Sequence, residues 1–341
     1  AAGMLADVVA ELNPSSIAMV TDSTVADLHA EPVLASLRHA GPASQLTFPA
    51  GEQHKTLATY SDLLDGLFAL EPPIDRSSVL VALGGGVTGD ITGFLAATLL
   101  RGVRFIQCPT TLLAAVDASV GGKTGVDHAT GKNLIGAFHQ PSAVIIDTAL
   151  LGTLPDDEIR NGLAECVKHG VIRDASLLDF IAANADAITA KDPAVLAELV
   201  RRNVEIKAAV VAADEREAGV RAHLNYGHTI GHALEVFLGY DVLPHGQAVA
   251  LGIVAANTIA SQRNVLHAQD AACIEELLAS LGLPTRRAGL DTDAIWRIMQ
   301  HDKKALAGQV RMVLATGIGD VAVFDDITDA DVAAALDALA E

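Results

Sequence analysis

Two histidines four residues apart, His228 and His232 in the run LNYGHTIGHALE, fall on one face of a helix. That spacing can chelate a metal ion. It is not the metalloprotease pattern H-E-x-x-H, because Thr229 stands where the glutamate base belongs. The run LPHGQAV adds His245, and NGLAECVKHG adds Glu165 with Lys168 one turn later on the same face. Two imidazoles and one carboxylate with open positions make a catalytic zinc-type set. A histidine taken alone more often fills a core or surface role. His29, His39, His54, His128, His139, His169, His223, His267 and His301 are read that way.

A second chemistry is suggested by residues 84–89, GGGVTG, which satisfy G-x-G-x-x-G through Gly84, Gly86 and Gly89. A strand-like run, SVLVAL, enters this turn and an apolar-periodic helix, DITGFLAATLL, leaves it. Glycines there let a backbone approach a pyrophosphate, and the helix start offers free N–H groups. The acidic residue expected at the end of the following strand is absent, since that region reads RFIQCPTT. A nucleotide phosphate site and a tight structural turn therefore both stay open. Downstream, DASVGGKTGVDHATGKN places Lys123, Lys132 and Asn133 in glycine-rich, loop-like sequence. Such a loop suits phosphate or carboxylate capture, and equally a solvated surface.

These groups need a scaffold, and the hydropathy pattern supplies one. Residues 16–20, 78–83, 105–108 and 143–146 read as buried parallel strands, with helical patterns over 59–70, 90–100 and 111–118. This alternation predicts a doubly wound, Rossmann-like sheet. Beyond Pro155 the strand signal nearly vanishes. Alanine-rich helical patterns follow over 156–171, 175–189, 193–212, 227–237, 245–263, 269–281 and 291–300. A short strand pair returns at 309–314 and 321–323. The expected organisation is an α/β domain over 1–152 and a mostly α-helical domain over 153–341.

Composition narrows the function classes. With 50% apolar and 19% charged residues over 341 positions, extensive disorder is excluded. Forty-two acidic against 23 basic residues give a net charge of −19, the wrong sign for holding nucleic acid. No apolar run reaches the length of a membrane span; residues 248–260 come nearest and contain Asn257. The start lacks the order of a signal peptide, so a cytoplasmic protein is expected. Cys108, Cys166 and Cys273 are widely spaced and are expected to be buried, inert thiols.

Eight ordered blocks, GEQHKT, GGGVTGD, RGVRFIQCPTTLLAAVDASVGGKTG, GKNLIGAFHQP, GLAECVKHG, LNYGHTIGHALE, HGQAVALG and DKK, resemble the 3-dehydroquinate synthase family of sugar phosphate cyclases. The resemblance covers residues 17–325. It implies an NAD-binding α/β domain joined to a helical metal-binding domain, with the active site between them. Glu165, His228 and His245 would hold a divalent metal, zinc or cobalt, and His232 would pass from the metal to the substrate phosphate. NAD contacts would fall on Asp22, Glu52, Lys55, Gly85, Gly86, Val87, Asp90, Thr110, Thr111, Asp117, Lys132, Thr153 and Glu158. Substrate contacts would fall on Lys123, Asn133, Lys168, Lys207, Arg221, Asn225, His232 and Lys303, with Lys304 as the alternative to Lys303. Glu217 would be a further polar residue of the site. Arg101 would reach the phosphate in a neighbouring subunit, which implies a homodimer. Two departures stand out. Gln247 replaces the glutamate of the usual HGE, and the sequence starts near the family's first helix, without an opening strand pair.

The substrate implied is 3-deoxy-D-arabino-heptulosonate 7-phosphate. The reaction implied is transient oxidation by NAD, phosphate elimination, return of the hydride, ring opening and aldol closure to 3-dehydroquinate. Cyclases acting on sedoheptulose 7-phosphate or glucose 6-phosphate are the nearest alternatives. Their substrates lack the carboxylate that Lys207 and Arg221 together would neutralise. A metal-dependent polyol dehydrogenase would have little use for so many cations, and an inactive NAD-binding scaffold would not need the complete ligand set.

Overall fold

The computed structural model describes residues 2–215, 219–239, 242–302 and 310–340. The chain divides into two compact units, Ala1–Pro155 and Asp156–Glu341.

The first unit runs α1 (Ala2–Glu11), β1 (Ile17–Asp22), α2 (Glu31–Ala40), β2 (Ala43–Phe48), α3 (Leu57–Phe68), β3 (Val79–Gly84), α4 (Gly86–Thr98), β4 (Arg104–Pro109), β5 (Lys123–His128), β6 (Gly131–Phe138) and β7 (Ala143–Val144). Five strands form a parallel sheet in the order β2-β1-β3-β4-β7. Both faces of β1 and β3 are buried, which is why these strands read as unbroken apolar runs. Ile17, Met19, Val79 and Val81 point to one face, against Leu5, Val9, Leu34 and Leu37 of α1 and α2. Ala18, Val20, Leu80 and Phe105 point to the other, against Leu63, Leu67, Ile91 and Leu95 of α3 and α4. The result is a Rossmann-like α/β layer structure.

Two sequence expectations are corrected here. The stretch carrying Lys123, Lys132 and Asn133 is not a loop but an antiparallel hairpin, β5–β6. Its outer strand alternates between half-buried and exposed, and its glycines dilute the apolar signal. The helical pattern over 111–118 yields only a short helical turn, Ala114–Ala118.

The second unit is mostly helical. It contains α5 (Asp156–Arg173), α6 (Ala175–Ala183), α7 (Pro193–Ala213), α8 (His228–Leu238), α9 (His245–Gln262), α10 (Ala268–Ser280), α11 (Thr292–Asp302), the hairpin β8 (Val310–Gly317) and β9 (Asp320–Ile327), and α12 (Asp329–Ala340). Aspartates start several of these helices by accepting backbone N–H bonds: Asp174 before α6, and Asp192 before α7 with Pro193 at the first helical position. The interior helix is α9, buried on nearly every side from Ala248 to Ala260. It therefore lacks the one-sided pattern of a surface helix. No described helix is long and apolar enough to cross a membrane. Cys108 and Cys166 are buried as expected, but Cys273 is exposed, because it lies on the outer face of α10.

Candidate functional site

In the second unit, three helices bring an acid and two imidazoles together. Glu165 lies in the middle of α5 and is fully buried. His228 opens α8 and His245 opens α9. The Nε2 atoms of His228 and His245 stand 3.3 and 3.6 Å from Glu165 Oε1. Ligand atoms from all three residues fall within 4.8 Å of one another. The other Glu165 oxygen meets the ammonium group of Lys168, also buried, one turn along α5.

Close backbone packing sets this convergence. Gly227 caps α8 in the left-handed region, at φ +78°, which a glycine adopts without strain. Gly231 and Gly252 let α8 and α9 touch backbone to backbone. A side chain on Gly231 would lie 2.9 Å from the Ala248 carbonyl oxygen, and one on Gly252 would lie 2.9 Å from the Gly231 nitrogen. Asn161 of α5 accepts the backbone N–H of Gly246, tying the start of α9 to the helix of Glu165. Beneath them, Tyr226 donates to Asn257 Oδ1 at 2.5 Å, with both residues buried. Burial raises the phenol far above its usual range, with the bond to Asn257 pulling the other way.

Electrostatics follow from the burial. Burial alone would raise the Glu165 carboxyl, but Lys168 and His228 outweigh it and hold the group well below 4.5. Burial alone would lower the His245 imidazole, but Glu165 and Glu235 raise it to about 9. Glu165 Oε1, the oxygen that faces the imidazoles, is buried without an aligned hydrogen-bond donor. Such atoms want a partner, and a carboxylate beside two imidazole nitrogens is the donor set of a catalytic divalent metal with open positions. The residues present fit such an ion.

His232 is exposed, its ring 5.2 Å from that of His228 and 5.9 Å from that of His245. Gln247 is half-buried two positions beyond His245. Lys207 is buried on α7, and Arg221 is buried in the helical turn Val220–Asn225 that also carries Asn225. Asp214 shapes that turn by accepting the backbone N–H groups of Gly219 and Arg221, at 2.7 and 3.0 Å. The Arg221 guanidinium donates to the Glu215 carbonyl. Glu158 is exposed in the first turn of α5. Glu217, Lys303 and Lys304 lie outside the described residues.

In the first unit, the glycine-rich turn joins β3 to α4. Gly85 caps α4 with extended backbone and no side-chain cap, leaving the first-turn N–H groups of Gly86, Val87 and Thr88 open to a ligand. A side chain on Gly85 would press on Thr111 at 3.1 Å. Thr110 donates its N–H to the Gly84 carbonyl at 2.9 Å, while its buried hydroxyl has no partner. Asp22 accepts the Thr88 hydroxyl at 3.3 Å. These features fit a dinucleotide pyrophosphate.

Next to the turn, the buried Lys55 ammonium donates to Asp90 Oδ2 at 2.6 Å and Asn133 Oδ1 at 2.5 Å. Burial would lower Lys55, but Asp90 and Glu52 outweigh it and raise the group. Lys132 lies 3.6 Å from Glu52. Asp117 sits in the short turn after β4, and Lys123 is exposed at the start of β5. Thr153 bonds His29 Nε2 at 2.8 Å. Arg101 is exposed on a corner where Leu100, Arg101 and Gly102 all have positive φ. Two residues of these clusters escaped the sequence reading. Asp127 accepts the Asn133 N–H at 2.7 Å. Glu235 stands 3.4 Å from His245 Nδ1. Its place seven residues after His228, on the same helical face, was the available signal.

Two family descriptions match adjoining parts of the chain: 3-dehydroquinate synthase N-terminal over residues 45–161, and 3-dehydroquinate synthase C-terminal over 162–305. A 3-dehydroquinate synthase of Desulforamulus reducens is 47% identical over 322 residues, 94% of this chain and 89% of that one. The chain belongs to the 3-dehydroquinate synthase family. Among solved structures, the 2-epi-5-epi-valiolone synthase ValA of Streptomyces hygroscopicus, with NAD+ and Zn2+ bound, matches at TM-score 0.89 and 29% identity. That match covers 96% of this chain and 91% of the other. A 2-deoxy-scyllo-inosose synthase with carbaglucose-6-phosphate, NAD+ and Co2+ matches at TM-score 0.84 and 30% identity, covering 92% and 86%. The 3-dehydroquinate synthase family thus shares its fold with cyclases of other names.

Proposed function

We propose that this chain converts 3-deoxy-D-arabino-heptulosonate 7-phosphate to 3-dehydroquinate and phosphate, with NAD and a divalent metal, zinc or cobalt. The carrying observation is the buried Glu165–His228–His245 set with Lys168 against it, in a chain of this family. When bound, the metal supplies Lewis-acid polarisation of a substrate oxygen, and NAD supplies a hydride acceptor that becomes the donor.

The chain's own residues do the rest. Glu165, His228 and His245 would hold the metal. The amides of Gly86 and Val87 and the Thr110 hydroxyl would bind the NAD pyrophosphate. Asp22, Glu52, Lys55, Gly85, Asp90, Thr111, Asp117, Lys132, Thr153 and Glu158 would line the rest of the NAD site. Lys207 and Arg221 would neutralise the substrate carboxylate, and His232, Asn225, Lys123 and Asn133 would hold its phosphate and hydroxyls. Lys303 and Glu217 belong to the same proposal, as does Arg101 acting on a partner's site in a homodimer in the cytoplasm. The proposed domains, 1–152 for NAD and 153–341 for metal and substrate, divide the work accordingly.

The test is incubation with the heptulosonate phosphate, NAD and zinc, coupled to a dehydratase that consumes dehydroquinate. Phosphate release is compared with that from sedoheptulose 7-phosphate and glucose 6-phosphate. Product from the first substrate alone is expected; turnover of either other substrate at a higher rate would reject the assignment. Analytical ultracentrifugation checks the dimer.

A further inference from the structure

The two imidazoles that face Glu165 are oriented from behind by different acceptors. His228 Nδ1 lies 3.1 Å from the Tyr226 carbonyl oxygen. A carbonyl can only accept, so Nδ1 carries the proton and Nε2 turns its lone pair toward Glu165. His245 Nδ1 lies 3.4 Å from Glu235 Oε1, and its Nε2 also turns toward Glu165. Glu235 is 3% exposed. It sits on α8, so one helix supplies both a ligand, His228, and the carboxylate behind the ligand of the next helix.

We propose that Glu235 is a positioning residue of the metal site, its carboxylate fixing the His245 tautomer and ring angle and strengthening Nε2 as a ligand. The inference rests on the metal reading above. A carboxylate behind a metal-bound imidazole holds the ring and raises its basicity, and losing it costs about 10–100-fold in metal affinity. His232, Glu235 and His245 also place ligand atoms within 4.8 Å of one another. Glu235 could therefore act as a direct ligand instead, and the experiment has to separate the two roles.

Cobalt is titrated into the full-length chain and followed by its visible absorption. Glu235→Ala should weaken binding about 10–100-fold. Glu235→Gln, which keeps an acceptor oxygen, should lose less. In a His245→Ala background, the same substitutions should change the remaining affinity less than about twofold, because a residue acting only through His245 has nothing left to orient. A further loss of the original size in that background overturns the proposal in favour of direct ligation or a general structural role. Equal cobalt affinity in Glu235→Ala and the parent chain overturns it outright. Circular dichroism and NAD titration check that each variant is folded, and if Glu235→Ala is not, Glu235→Gln in both backgrounds carries the comparison. A parent chain that binds no cobalt rejects the metal reading itself, an outcome distinct from the failure of Glu235.

Discussion

The glycine seam between α8 and α9 makes the metal site sensitive to a single methyl group. In Gly252→Ala, the new carbon would lie 2.9 Å from both the Gly227 carbonyl carbon and the Gly231 nitrogen, and closer still to the Gly227 oxygen. All three are backbone atoms, so no side chain can swing aside. The helices must part by about 1 Å, and overpacking of this kind costs about 1–3 kcal/mol. With a rigid obstacle the upper end is expected, about 3 kcal/mol, or about 6–12 °C in melting temperature for a unit of this size. The same displacement moves His228 away from His245, so cobalt affinity should fall at least tenfold. Gly152→Ala is the matched control. Nothing lies within 4 Å of the methyl group it adds, and its effect should stay within about 0.5 kcal/mol. Thermal unfolding by circular dichroism, with and without zinc, reads both variants. A Gly252→Ala melt within 1 °C of the parent would show that the seam has slack, and the packing argument would fail.

Three further outcomes are expected. Tyr226→Phe leaves Asn257 Oδ1 buried without its donor, and should cost about 1–3 kcal/mol in chemical denaturation. Lys55→Met removes the ammonium that joins Asp90 to Asn133, and should weaken NAD binding about tenfold by calorimetry; unchanged affinity would remove Lys55 from the NAD site. Arg263 and Thr328 lower Asp331 to about 2 from an ordinary 3.8. Its stabilisation is therefore complete above about pH 4 and is lost as pH falls through about 2. Asp331→Asn should flatten the stability profile over that window and cost about 1–2 kcal/mol at pH 7, both read from denaturant midpoints.

What could be read from the sequence tracks how one-sided each signal is. The strands β1, β3 and β4 were legible because burial on both faces leaves only apolar residues. The edge strand β2, half-buried through most of ASQLTF, offers no such run and was missed. So was the β5–β6 hairpin, whose glycines mimic a loop. Helices α5 and α7–α11 were anticipated within a few residues, whereas α1, α2 and α12 were not. The residues of the proposed metal set come from three helices, and no local spacing reveals that His245, rather than His232, faces Glu165. Spacing alone favours the pair four apart; packing of α8 on α9 decides otherwise. Glu235 went unread because a carboxylate at the end of an apolar helical stripe looks like a solvated residue until burial is known.

Lys168 poses the sharpest electrostatic question, since a buried ammonium touching the proposed ligand Glu165 would oppose a metal there. Glu165 divides its two oxygens: one meets the ammonium, the other faces both imidazoles. Without a metal, Lys168 is the cation nearest the buried carboxylate, with the imidazole of His245 behind it. Removing one partner of such a pair costs about 3–5 kcal/mol, because the other charge stays buried. With a metal bound, the compensation is duplicated and Lys168 becomes a competitor. Lys168→Met should therefore lower the melting temperature of the metal-free chain, yet give a larger rise on zinc addition than the parent, as linkage requires when affinity increases. Turnover should still fall under the proposal that Lys168 contacts the substrate. If the zinc-induced rise is equal or smaller in Lys168→Met, the ammonium does not compete for Glu165, and this reasoning fails.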